Sequence, residues 1–239
     1  MKVMLFGDSH LAAVRSGLSL VDIPQGLDLE FWGTAGNRFR HISWVDGKIV
    51  PDDEKAANAF SRFNQHGRRE LDPSLYDAVV FIGARIRPGA VVPDLLNHIA
   101  HPDRYLTRDY IQLVLAEHFL NHTTYQMARL MAATGKTRVL MNMISFYTYG
   151  KAPTPRRYTI ARRASRNDLA LLDELNTEIL RQDNITHVGQ PLDTIAHGCY
   201  TDAKFGLASD DYVHKNAEYG AVILRKILDK LQQNSSVSG

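Results

Sequence analysis

The sequence predicts an α/β fold, a three-layer α/β/α sandwich built on a mainly parallel sheet of five strands. Three observations predict it. Short apolar runs recur at Val3 to Phe6, Leu27 to Trp32, Ala78 to Ile82 and Val139 to Met143, with a weaker one at Ile185 to Val188. Runs of this length and character suit strands covered on both faces. Segments with the helical spacing of apolar residues lie between them, and strands alternating with helices pair in parallel through right-handed crossovers.

Val3 to Phe6 ends at once in Gly7-Asp8-Ser9-His10, and Leu11 to Leu20 follows with helical spacing. Leu27 to Trp32 is the second strand. Ile42 to Val50 departs from the alternation: Asp46-Gly47 between two small apolar groups is a two-residue hairpin signal, expected to flank the site. Asp53 to Asn64 and Pro93 to Ile99 are short helices on either side of the third strand, Ala78 to Ile82. Tyr110 to Ala133 is expected to be one long helix leading to the fourth strand. Asp168 to Arg181 precedes the fifth strand, and Ala217 to Leu231 is a final amphipathic helix. No internal repeat occurs. Residues 1–233 are expected to form one domain, and the polar segment 234–239 a disordered tail.

With 239 residues, 44% of them hydrophobic, the chain suffices for one large core. The single cysteine, Cys199, allows no disulfide within the chain and neither a zinc finger nor a Cys-x-x-Cys redox motif. That suits a reducing compartment. The first apolar run is shorter than the roughly 7 to 15 residues of a signal-peptide core, and no run approaches the roughly 18 of a membrane span. A cytoplasmic location is therefore expected. A net charge of +2 is too small to imply a nucleic-acid partner. The basic stretch Arg156, Arg157, Arg162, Arg163 and Arg166 is read as a solvated face, or as a rim that attracts an anionic substrate.

Open parallel sheets bind ligands beyond the carboxyl ends of their strands, so the segments after each run are where chemistry belongs. After the first strand stands Ser9, where it either caps the next helix or acts as a nucleophile. Near the other end, Asp211-Tyr212-Val213-His214 precedes the last helix. A three-residue step on a helical turn puts the two side chains on one face, so that Asp211 can hold one imidazole nitrogen while the other meets a hydroxyl. A serine, a histidine and an aspartate in those positions are the parts of an activated nucleophile.

Gly7-Asp8-Ser9 and Asp211-x-x-His214 together resemble the first and last blocks of the SGNH hydrolases, the GDSL-type esterases and lipases. The resemblance implies a flavodoxin-like strand order and ester or acyl-group chemistry without metal or organic cofactor. Gly33-Thr34-Ala35-Gly36 resembles the second block, which implies that Gly36 supplies an oxyanion N–H beside that of Ser9. At the third block, Gly83-Ala84-Arg85-Ile86, Arg85 stands where the family has asparagine, so Arg85 is the candidate for the remaining oxyanion donor. His10 after Ser9 is similar to the Gly-Asp-Ser-His form of sugar O-acetylesterases and polysaccharide O-acetyltransferases, which implies acetylated carbohydrate as substrate.

Asp8, His10, Asn37, Arg38, Arg85 and Arg87 lie in the loops around this sheet edge and are the expected substrate-binding residues, the arginines suiting a carboxylate or phosphate. The function expected is therefore a serine esterase acting through Ser9, His214 and Asp211. An O-acyltransferase would use the same three residues. A binding module that has lost its chemistry is the alternative of another class, motivated by Arg85. Other motifs fail on context. Thr134-Gly135-Lys136-Thr137 precedes a strand and lacks the upstream glycine of a phosphate loop. His118 and His122 have no third ligand in view and are read as surface histidines, and the Gly-x-Ser-x-Gly elbow is missing.

Overall fold

The computed structural model describes residues 1–34, 36–151 and 158–233; the expected tail 234–239 and Arg156 and Arg157 lie outside them. The strands in chain order are β1 (Lys2–Gly7), β2 (Asp28–Gly33), β3 (Ile42–Val45), β4 (Lys48–Pro51), β5 (Ala78–Gly83), β6 (Arg138–Met143), β7 (Ile185–His187), β8 (Ile195–Ala196) and β9 (Tyr200–Thr201). The α-helices are α1 (Leu11–Gly17), α2 (Glu54–Phe63), α3 (Val92–Ile99), α4 (Arg108–Leu120), α5 (Thr123–Ala133), α6 (Tyr158–Ala161), α7 (Arg166–Gln182) and α8 (Ala217–Gln233).

The five apolar runs pair into one sheet of order β2-β1-β5-β6-β7, parallel throughout. Numbered among themselves these strands run 2-1-3-4-5, the flavodoxin-like order, and the direction of winding reverses between β1 and β5. That reversal opens a crevice at the carboxyl ends of the two strands.

Strand alternation divides the core in two. Met4, Phe6, Val79, Phe81, Val139 and Met141 face one layer, where they pack with Phe60 of α2, Leu96 of α3, Leu115 of α4, Met131 of α5 and Leu172 of α7. Val3, Leu5, Val80, Ile82 and Leu140 face the other, against Leu11 and Val14 of α1 and Ile223, Leu224 and Ile227 of α8. These two layers enclose the sheet, as expected for a three-layer sandwich. Helices α1 and α8 cross at backbone contact: a Cβ on Gly220 would lie 1.8 Å from the Ala13 carbonyl oxygen, and one on Gly17 would lie 2.4 Å from the Ala221 nitrogen. This close crossing fixes the start of α8 relative to the loop that leads into α1.

The hairpin β3–β4 forms as expected, with Asp46 (φ 49°) and Gly47 (φ 81°) both left-handed at its turn, the conformation that matches the twist of a two-residue hairpin. Two expectations need correction. The stretch Tyr110 to Ala133 is two helices, because Asn121 closes α4 through its N–H to the Glu117 carbonyl and His122 turns to extended backbone before α5. Helix α1 is also shorter than expected: after Gly17 it tightens into the 3-10 turn Leu18–Leu20. No helix among the described residues is long and apolar enough to cross a membrane.

Candidate active site

Ser9 sits in the turn between β1 and α1. The Leu11 N–H donates to the Asp8 carbonyl (3.0 Å) and the Ala12 N–H to the Ser9 carbonyl (3.2 Å), so the backbone closes the first helical turn by itself. His10 is the N-cap residue and makes no side-chain capping bond. Neither Asp8 nor Ser9 is used as a cap. The Ser9 hydroxyl instead lies 2.7 Å from His214 Nε2, and His214 Nδ1 lies 2.6 Å from Asp211 Oδ2.

The Asp211–His214 segment is a series of bends and not a helical turn, which corrects the expected local geometry. Asp211 Oδ1 accepts the backbone N–H groups of Val213 (2.8 Å) and His214 (2.9 Å), and this folds the carboxylate back beside the imidazole. Neighbouring elements hold the segment in place. The Thr148 N–H donates to the Tyr212 carbonyl (2.9 Å), the Tyr147 and Tyr212 rings meet edge to face, and Lys215 Nζ donates to the Val213 carbonyl (2.7 Å).

Charge states follow from these contacts. Burial works against the Asp211 carboxylate, but hydrogen bonds from the His214 backbone, the His214 ring and the Val213 backbone outweigh it and hold Asp211 down at about 2. Asp211 is an anion at any ordinary pH, so it fixes the imidazole with Nδ1–H toward itself and the Nε2 lone pair toward Ser9. Lys215 is buried, and desolvation lowers its pKa to about 7 even though the Asp211 charge opposes the shift. His10 packs beside His214 with ring centroids 5.1 Å apart, and burial, then the His214 and Lys215 charges, push it down to about 3. It is neutral and cannot compete as an acid.

The third block is unusual. Gly83, Ala84 and Arg85 all have positive φ (69°, 49° and 64°). Ala84 and Arg85 adopt this conformation at a cost of about 1 to 3 kcal/mol each, which a structure retains where the geometry is needed. Here it turns the Arg85 N–H onto Asp8 Oδ2 (3.2 Å), while Asp8 Oδ1 accepts from the His10 N–H (3.1 Å). Asp8 is 2% exposed, and burial raises its pKa against these hydrogen bonds and the Arg85 and Arg87 charges. Its place is therefore between the two loops, holding them together, and not at the surface of the substrate site.

The Ser9 N–H has no protein acceptor among the described residues, so it is available to an oxyanion. The 3-10 turn Gly36–Arg40 follows β2; the position of Gly36 in the site and the Asn37 side chain lie outside the described residues. Arg85 and Arg87 line a cleft of about 400 Å3 together with Arg40, His118 and His122. Arg38 does not line it; Arg40, two residues on in the same turn, does. His118 is not a surface histidine, since its Nε2 is buried without a partner. A separate apolar cavity of about 50 Å3, lined by Val92, Phe146 and Leu172, holds none of the Ser9, His214 or Asp211 side chains. Arg40 and Lys215 are not singled out by the sequence, and His118 and His122 are read there only as surface histidines.

No family model matches the chain, and no curated protein does. Solved structures do. A GDSL-like lipase from Bacteroides thetaiotaomicron is similar at 14% identity and a TM-score of 0.43, over 98% of this chain and 88% of that one. An acetyl xylan esterase is similar at 14% identity and a TM-score of 0.45, over 96% and 99%. The periplasmic domain of a lipopolysaccharide acetyltransferase from Salmonella ser. Paratyphi A is similar at 13% identity and a TM-score of 0.42, over 96% and 83%. The fold itself is a parallel five-stranded sheet of order 2-1-3-4-5 between two helical layers.

Proposed function

We propose that this chain is a serine esterase that removes a small acyl group, acetyl in the first instance, from a carbohydrate hydroxyl. The observation that carries the reading is the continuous hydrogen-bonded chain Ser9 Oγ, His214 Nε2, His214 Nδ1, Asp211 Oδ2, at 2.7 and 2.6 Å. No other arrangement of these three residue types accounts so directly for an uncapped serine at a strand end facing the free lone pair of an oriented imidazole.

In the proposed reaction His214 Nε2 takes the Ser9 proton as Oγ attacks the ester carbonyl. The carbonyl π pair moves to oxygen, where the Ser9 N–H, and Gly36 N–H by family resemblance, stabilise the negative charge. Collapse of the tetrahedral intermediate expels the sugar oxygen, which takes the proton from the imidazolium. Water, deprotonated by the same imidazole, then attacks the acyl-enzyme and releases the carboxylic acid and Ser9. Asp211 stabilises the imidazolium in both halves without itself being protonated. Transfer to a sugar hydroxyl in place of water is the same second half with another nucleophile.

A fluorophosphonate probe tests the reading directly, with mass spectrometry to locate the adduct. Labelling at Ser9, together with hydrolysis of p-nitrophenyl acetate, is the expected result. An intact, folded protein that neither labels nor turns over acetyl esters is a binding module, and the proposal fails. Added alcohols that divert the acyl group from water identify an acyltransferase.

A further inference from the structure

The cleft beside Arg85 has a composition the proposed chemistry does not explain. Its walls come from the β5–α3 connection (Arg85, Arg87), the turn after β2 (Arg40) and the α4–α5 junction (His118, Asn121, His122). Three arginines line one space, and no Asp or Glu lines it. Among the described residues none of the three arginines forms an ion pair. Asp8 acts on Arg85 and Arg87 through its charge, yet its two oxygens already accept from the His10 and Arg85 N–H groups. Like charges gathered without a counter-charge repel one another and stay together only if something else is gained. Burial and the Arg87 and Arg40 charges all disfavour the Arg85 cation.

The cleft also offers a neutral imidazole. The His118 ring lines the cleft beside Arg87, and its Nε2 is buried with no hydrogen-bond partner. Burial, then the neighbouring His122, hold His118 down at about 4, so the ring is neutral and carries one N–H and one lone pair. Guanidinium donors for an anion and a neutral imidazole for a hydroxyl, in one space, match a group that carries both.

We propose that this cleft is the subsite for an acidic sugar residue of the substrate: Arg85, Arg87 and Arg40 take its carboxylate or phosphate, and the neutral His118 ring pairs with one of its hydroxyls. The proposal rests on the reading of Ser9 as the nucleophile, because the Arg85 N–H bond to Asp8 joins the cleft wall to the residue preceding Ser9. The substrate is then an ester on, or next to, a sugar with a fixed negative charge.

Calorimetry on the Ser9→Ala protein with galactose, galacturonate and galactose 6-phosphate separates neutral, carboxylate and phosphate ligands without requiring turnover. At least one anionic sugar should bind tenfold or more tighter than galactose, and Arg87→Gln should remove most of that difference. Whichever anion is preferred identifies the group. The kinetic counterpart is the ratio of kcat/KM for acetylated galacturonate over acetylated galactose, which Arg87→Gln should lower by tenfold or more. Arg40→Gln, at an exposed position, repeats both measurements if Arg87→Gln fails to fold. Equal affinity for the three sugars, or a difference that both variants leave intact, overturns the subsite. A preference for anions in a protein that never labels at Ser9 leaves the subsite standing and removes the esterase.

Discussion

Asp8 and Arg85 are 77 positions apart in the chain, and the Arg85 N–H donates to Asp8 Oδ2 at 3.2 Å, tying the loop after β1 to the loop after β5. The same carboxylate takes the His10 N–H. Ser9 lies between the two residues so held, which makes Asp8 a positioning residue. Asp8→Asn keeps the shape but supplies a single acceptor oxygen, so one of two buried N–H groups loses its partner. A lost partner of this kind costs about 1 to 3 kcal/mol. Urea denaturation should register that loss, and fluorophosphonate labelling of Ser9 should slow. Unchanged stability and labelling would remove Asp8 from this role.

The Ser9, His214 and Asp211 substitutions should rank. Ser9→Ala and His214→Ala should each lower kcat by roughly 10,000-fold or more, and Asp211→Asn by less, because an orienting group is partly replaceable. The rate should also rise with pH. Asp211, held at about 2, stays ionised throughout, so the gain of activity does not report Asp211 but the need for a neutral base to accept the Ser9 proton. A rate that stays flat between about pH 5 and 9 while chemistry is limiting contradicts this wiring.

Lys215 should leave a signature in stability. In the unfolded chain a lysine takes up its proton below about pH 10.4; in the fold, burial delays that until about 7. Between these values the unfolded state binds more protons, so stability should rise as the pH is raised from 7 toward 10, by up to about 1.4 kcal/mol per pH unit. Lys215→Met should flatten that rise. Denaturation midpoints of both proteins at several pH values across the window give the difference directly, and parallel curves would show that the ammonium is not desolvated.

The strands were legible because burial on both faces leaves a run of apolar residues that nothing else in the sequence imitates: Val3 to Phe6 and Ala78 to Ile82 fall within the strands observed. Ser9, Asp211 and His214 were legible as a set because a Ser-His-Asp arrangement needs those residue types at strand and helix ends, and the structure brings the three within hydrogen-bond distance. The break between α4 and α5 was not. Apolar spacing continues through Asn121 and His122, and only the capping geometry reveals the turn that brings both histidines to the cleft. That Arg40 and not Arg38 lines the cleft is hidden in the sequence for a related reason. In the tight 3-10 turn Gly36–Arg40 residues two apart point to different sides, and sequence alone does not say which side meets the cleft.

Arg85 carries the last prediction. Its N–H is spent on Asp8, and the residue lines the cleft with Arg87 and Arg40, so the proposed subsite assigns it to substrate binding. Arg85→Ala should raise KM for an acetylated acidic sugar by more than for the neutral one, since the charge that is lost meets only the anion. Arg85→Lys should recover part of that loss, as a point charge without the planar fork. An oxyanion donor behaves differently: its loss lowers kcat for both esters alike, by roughly 100-fold or more. Steady-state kinetics on the two substrates with both variants separates the outcomes. A uniform fall in kcat would move Arg85 into the oxyanion hole, and unchanged constants for both esters would leave it with its backbone bond to Asp8 alone.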